Sequence, residues 1–165
     1  MRFEKLFDPI SINDVEIKNR IAMAPLNNLN QFDLAEGTIT QRCVEYYLER
    51  AKGGVGLIIT GVFKVENEIE RCMKGDIYHW SIFSKKSLPY YYDLAHYVHS
   101  LGCKIFVQLS AGPGRVTNVN VIKSGIKPVS ASANQAFYAP EVTCRPLETE
   151  EVEEIVEAFG EAAEV

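Results

Sequence analysis

Three times along this chain a short run of small and β-branched apolar residues alternates with a segment whose apolar residues recur at helical spacing. That alternation limits the fold more than any other feature. The runs are Arg20–Ala24, Val55–Thr60 and Lys104–Leu109. A continuous apolar run suits a strand covered on both faces, the habit of parallel sheets, and strand–helix alternation reads as α/β. The first run stops at Pro25, which cannot extend a central ladder.

The helical segments have their own punctuation. From Thr40, a plausible N-cap, to Lys52, Val44, Tyr47, Leu48 and Ala51 fall at i, i+3, i+4 and i+7, and Gly53-Gly54 stops the run. Pro89 opens a second stripe of Tyr91, Leu94, Ala95 and Val98, which ends at Gly102. Thr149 is expected to cap a third helix with an acidic first turn (Glu150, Glu151) and an apolar face of Val152, Ile155, Val156 and Phe159. Ahead of these units, Ile10-Ser11-Ile12 and Val15-Glu16-Ile17 flank Asn13-Asp14, the pattern of a β-hairpin.

The helices lead into the next strand through short turns, whereas the strands are followed by long polar stretches. Residues from about Gly61 to Leu88 lack periodicity. From Ser110 to Arg145, Gly112, Pro113, Gly114, Gly125, Pro128 and Pro140 exclude a continuous helix or strand. Long loops at the carboxyl ends of parallel strands are the habit of a TIM barrel. The expected fold is therefore α/β, a partial (β/α)8 barrel made of an N-terminal hairpin and about three βα units. Residues 1–165 are expected to form the first portion of a single domain, incomplete at its C-terminal side, because a closed barrel takes about 250 residues.

Composition narrows the partners. There are 17 basic and 22 acidic residues, a net charge of −5 and no Lys/Arg cluster, which argues against a nucleic-acid or anionic-membrane surface. The N-terminus has no apolar signal segment, and no stretch approaches the roughly 18 apolar residues of a spanning helix, so a cytoplasmic protein is expected. Cys43, Cys72, Cys103 and Cys144 contain no C-x-x-C pair and read as separate thiols; no metal site is expected.

Three separated motifs then resemble one family. They are Leu6-Phe7-Asp8-Pro9-Ile10 through Lys18-Asn19-Arg20-Ile21-Ala22-Met23-Ala24-Pro25-Leu26; Asp33, Gly37, Thr40, Tyr46-Tyr47 and Arg50-Ala51 leading into Gly53-Gly54-Val55-Gly56-Leu57-Ile58-Ile59-Thr60-Gly61; and Phe106-Val107-Gln108-Leu109 followed by Ser110-Ala111-Gly112-Pro113-Gly114-Arg115. In order and spacing the chain resembles the N-terminal part of the Old Yellow Enzyme family. More narrowly, it is similar to the NADH:flavin oxidoreductase, 2-enoate reductase and bile-acid reductase branch.

The resemblance implies FMN at the strand carboxyl ends, reduced by NADH or NADPH and passing hydride to an activated alkene, an enoate or enone. It implies that Ala24, Pro25, Leu26 and Asn27 line the flavin, that Gly61 lies beside the isoalloxazine, and that Gln108 hydrogen-bonds its pyrimidine edge. A Gln amide suits a ring edge that shows a donor and an acceptor side by side. Asn27 can donate near flavin N5/O4; many members carry Met followed by Thr or Cys where this chain has Leu26-Asn27. The family's substrate-anchoring and proton-donating residues, its phosphate loops and the iron–sulfur cysteines of its longer branch fall beyond Val165, so the catalytic residues are unknown.

Other readings of the same residues stay open. Gln108 can cap neighbouring backbone, Gly61 can simply break a strand, and Arg115 is either a loop charge or a cofactor contact. Gly112-x-Gly114 is too short for a dinucleotide fingerprint. His96 and His99 fall on the polar side of the second helix, His79 lies in a loop, and Tyr90-Tyr91-Tyr92 reads as packing. The 165 residues are either a working part of such an oxidoreductase, with a small-molecule alkene as partner and a homo-oligomer left open, or a truncated, catalytically incompetent association module. A different TIM-barrel enzyme is the third reading, separated by whether any flavin is bound.

Overall fold

The computed structural model describes residues 3–26, 32–33, 38–70 and 88–164. The chain divides into two compact units, Met1–Phe63 with Ser84–Gln108 and Lys64–Phe83 with Leu109–Val165.

The first unit opens with a 3₁₀ turn, Glu4–Leu6, and the hairpin of β1 (Ile10–Ile12) and β2 (Val15–Ile17). These strands pair antiparallel with Ile10 opposite Ile17, and Asn13 takes the left-handed conformation (φ 48°) that the turn requires. β3 (Ala22–Met23) pairs in parallel with β6 (Leu57–Lys64), Ala22 opposite Leu57 and Met23 opposite Ile58. β7 (Lys104–Ser110) lies on the other side of β6. Its first residue donates to the carbonyl of Gly56 at 2.9 Å, and Gln108 N–H reaches Thr60, so β6 and β7 run in one direction. A two-residue ladder, β4 (Phe32–Asp33) with β5 (Thr38–Ile39), had no signal in the sequence.

Helices α1 (Gln41–Lys52) and α2 (Leu88–Ser100) cover this sheet. α1 buries Cys43, Val44, Tyr47 and Ala51, a face spaced i, i+4, i+8 with Leu48 at its rim. α2 buries Leu94 and Val98, and Tyr91 meets Phe63 edge-on at 5.5 Å. The chain leaves α2 through Gly102, whose φ of 66° few side chains tolerate. The core gathers Ile17, Ile39, Tyr47, Ile58, Phe63 and Val98, all 2% exposed or less. Burying one such side chain stabilises by about 1.5–3 kcal/mol.

The amino ends of the strands are fastened by Lys18 and Asn19. Asn19 Nδ2 donates to Gly54 O (2.8 Å) while its Oδ1 accepts from Ile21 N (3.1 Å). Lys18 Nζ donates to Leu101 O at 2.8 Å, just beyond α2.

In the second unit, Val65 N–H donates to Ser110 O at 2.8 Å. A 3₁₀ turn (Gly114–Val116) and short α3 (Val119–Lys123) follow, the latter capped by Asn118, whose Oδ1 accepts from Asn120 N. β8 (Val129–Ser130) and β9 (Arg145–Pro146) then pair in parallel. Between them Ala136, Ala139 and Cys144 form a small buried cluster with Ile122 and Val142. α4 (Thr149–Ala163) completes the unit.

Four details differ from expectation. The first strand is only Ala22–Met23, and Ala22 is exposed, because β3 is an edge with one paired side. β6 continues past Thr60 to Lys64, since Gly61 keeps both backbone groups bonded. Glu148 caps α4 in place of Thr149: its N–H donates to Glu151 Oε2 at 2.9 Å. On α4 the buried residues are Ala158 and Ala162, while Val152 and Val156 are 45% and 64% exposed.

Candidate functional site

Parallel strands with helices over them expose their carboxyl ends as the place where loops can gather around a ligand. In the first unit Ala24, Pro25 and Leu26 follow β3 and Gln108 lies near the end of β7, whereas Gly61 lies inside β6, which continues to Lys64. Ala24, Pro25 and Leu26 are exposed, Leu26 by 57%. The β3–β6 register places Met23 opposite Ile58, so these three residues leave the sheet level with the approach to Gly61. Asn27 lies outside the described residues, as does His79.

Gln108 is exposed, and its side-chain amide meets no partner among the described residues. Its backbone N–H donates to Thr60 Oγ1 at 3.2 Å. Thr60, 1% exposed, donates its own proton to Gly61 O at 2.9 Å. Gly61 N–H completes the set by donating to Tyr47 Oη of α1 at 2.9 Å. Gly61 is therefore buried with both backbone groups committed, and all it can offer a ligand is the absence of a side chain. Burial pushes the Tyr47 hydroxyl up to about 12, against the smaller opposing effect of the Gly61 amide, so it stays protonated at neutral pH. Burial likewise pushes the Cys43 thiol up to about 12 and raises that of Cys103. Cys43, Cys103 and Cys144 are separate buried thiols.

The glycine-rich stretch after β7 belongs to the second unit and already holds a group of the protein's own. Glu70 Oε1 accepts from Gly114 N–H at 2.7 Å, and a Cβ built on Gly112 would run into the Glu70 side chain. Asn67, 8% exposed, sets up this clasp: its Nδ2 donates to Ala111 O (2.7 Å) and Val65 O (3.2 Å), and its Oδ1 accepts from Glu70 N (2.8 Å). Sequence reasoning missed Asn67 and Glu70 by treating them as loop polarity. The available signal was their three-residue spacing directly after a strand, opposite a glycine-rich loop whose N–H groups need acceptors. Arg115 is exposed in the 3₁₀ turn, and its carbonyl accepts from Phe137 N–H.

His96 and His99 are exposed on α2, and His96 stacks on Tyr92 with ring centroids 6.0 Å apart. A cavity of about 200 Å³ in the second unit, lined by Glu70, Pro113, Thr117, Val121, Lys127 and Val129, contains none of the residues expected to hold a cofactor. No helix among the described residues is long and apolar enough to cross a membrane.

A hairpin and parallel strands under helices form an α/β arrangement that matches part of a β/α barrel, a fold whose sites gather at the strand carboxyl ends. The chain belongs to the NADH:flavin oxidoreductase / NADH oxidase family, whose pattern matches residues 5–165. Cinnamate reductase of Clostridium sporogenes is 43% identical over 164 residues, covering 99% of this chain and 24% of that protein. Two solved structures share the fold. The Old Yellow Enzyme homologue of Zymomonas mobilis gives a TM-score of 0.73 at 30% identity, over 96% of this chain and 44% of its own. Morphinone reductase in complex with tetrahydroNAD gives 0.76 at 28% identity, over 96% and 45%. The chain thus spans about a quarter of the reductase's length and less than half of either structure.

Proposed function

We propose that the protein carrying this chain is an FMN-dependent oxidoreductase that takes hydride from NADH or NADPH and delivers it to an activated alkene, an enoate or enone. The observation that carries this reading is Gln108: an exposed amide without a partner among the described residues, at the carboxyl end of a parallel strand, in a chain matched by the family over residues 5–165. The residues present suit the group. Ala24, Pro25 and Leu26 offer an exposed, largely apolar surface for a flat ring, and the Gln108 amide presents both a donor and an acceptor to a polar ring edge.

When bound, FMN supplies the hydride chemistry, and the protein's part is to hold and tune it. In this reading Gln108 holds the pyrimidine edge, Gly61 leaves room beside the ring, and Asn27 donates toward N5/O4. Such a donor stabilises charge on the reduced ring. Residues 1–165 are the first portion of one FMN-binding barrel domain. The protein works in the cytoplasm on a small-molecule alkene, without nucleic acid, and the fold permits a homo-oligomer.

A second reading has its own support. Val107 on β7 and Val152 and Val156 on α4 are 46%, 45% and 64% exposed, so the 165 residues alone leave apolar surface uncovered. This favours a chain that is catalytically incompetent by itself. One experiment addresses both readings: purify the full-length protein and the 165-residue chain separately, add FMN, and follow flavin absorbance and NADH or NADPH oxidation with cinnamate as trial acceptor. The first reading expects the full-length protein to retain FMN and turn over, and a colourless, inactive full-length protein refutes it. Micromolar FMN binding with NADH oxidation by the 165-residue chain refutes the second.

A further inference from the structure

A side-chain hydroxyl joins the strand backbone at the proposed flavin contact. Along a regular parallel pair, the N–H of each alternate residue goes to a backbone carbonyl of the neighbouring strand. At Gln108 the N–H reaches a side chain of that strand, donating to Thr60 Oγ1 at 3.2 Å. Thr60 has one hydroxyl proton, which is given to Gly61 O at 2.9 Å. With that proton committed, the oxygen can only accept from Gln108. Gly61 is held in turn from the helix layer, its N–H donating at 2.9 Å to Tyr47 Oη, whose side chain is completely buried. Two hydroxyls, one on the strand and one on α1, thus bond the backbone at the point where β7 presents its exposed amide.

We propose that Thr60 is a positioning residue for Gln108, its hydroxyl setting the height and rotation at which β7 offers the Gln108 amide to the flavin ring. The inference rests on the reading that Gln108 contacts FMN. Thr60 itself, 1% exposed, has no surface to offer a ligand and acts only through the backbone of its neighbour. The oxygen, and not the shape, is what matters. Valine keeps the β-branched outline that packs in this strand but removes the hydroxyl acceptor of the Gln108 N–H, whereas serine keeps that acceptor and loses one methyl.

The test is a double-mutant cycle in the full-length protein, read as the FMN dissociation constant by quenching of flavin fluorescence, with the flavin midpoint potential as a second signal. Gln108→Ala should weaken FMN. Thr60→Val should weaken it by roughly threefold to tenfold, the scale of one lost hydrogen bond, and lower the potential in the same direction as Gln108→Ala. Thr60→Ser should stay within about twofold of wild type, and Thr60→Val combined with Gln108→Ala should bind no more weakly than Gln108→Ala alone. Thr60→Ala takes the place of valine in the same cycle if the valine variant does not fold. Wild-type FMN affinity in Thr60→Val, or a penalty that simply adds to that of Gln108→Ala, overturns the positioning role and leaves the Gln108 contact standing. Unchanged FMN affinity in Gln108→Ala refutes that contact and the inference with it.

Discussion

Replacing Gly112 by alanine is a demanding check on the clasp after β7. A methyl on Gly112 meets three atoms of Glu70: Oε2, then Cδ and Cβ at 2.7 and 2.8 Å. Because Cβ is among them, turning the carboxylate aside does not clear the space, and the whole side chain must leave. Its departure breaks the 2.7 Å bond from Gly114 N–H. A hydrogen bond to a charged acceptor contributes about 1.5–3 kcal/mol. The φ of 159° is one that side chains rarely adopt, so alanine adds backbone strain to this loss. The expected loss is therefore at least about 1.5–3 kcal/mol. Urea unfolding followed by far-UV circular dichroism measures it, alongside the same substitution in a Glu70→Ala background. There the obstacle is gone, and Gly112→Ala should cost clearly less, only the backbone strain remaining. An equal loss in both backgrounds would refute the collision with Glu70 as the cause.

Three further outcomes are expected. Asn19→Ala removes both bonds at the amino ends of the strands and should cost about 1–3 kcal/mol in urea unfolding, with FMN affinity of the folded full-length protein unchanged; a selective loss of FMN would contradict a purely structural role. Arg145 donates twice to Glu151, both bonds at 2.7 Å, and holds its carboxyl down at about 2. A carboxylate depressed in the folded state stabilises above its ordinary value near 4.5 and loses that contribution as the pH falls toward 2. Arg145→Met should thus flatten the decline in urea midpoint over that range, and an unchanged slope counts against the pairing. Finally, Cys43, Cys103 and Cys144 are buried and should resist an aromatic disulfide reagent at pH 8 until urea is added, with labelling mapped by peptide mass; rapid native labelling of Cys43 would contradict its burial.

Some of this molecule was legible in residue order because local chemistry decided it. Asn13 gave the hairpin turn, Gly53-Gly54 and Gly102 ended α1 and α2, and apolar runs gave the central strands. What periodicity could not show was which residues have something packed over them. The stripe of α4 pointed to Val152 and Val156, yet Ala158 and Ala162 are buried, since apolar spacing records a face and not its cover. Gly61 read as a strand-to-loop breaker, and the hydroxyls of Thr60 and Tyr47 that bond its backbone inside β6 come from positions one and fourteen residues away. At the candidate site, Gln108 stood out as a polar residue ending an apolar run. Asn67 and Glu70 stayed hidden, since their partners lie 44 residues further along.

The division of the chain at Phe63/Lys64 and Gln108/Leu109 separates two kinds of evolutionary freedom. Every described residue proposed to hold the cofactor, from Ala24 to Gln108, belongs to the first unit, while the segment following β7, with its internally satisfied clasp, belongs to the second. Substitutions in that segment can accumulate without disturbing the bonds that set Gln108.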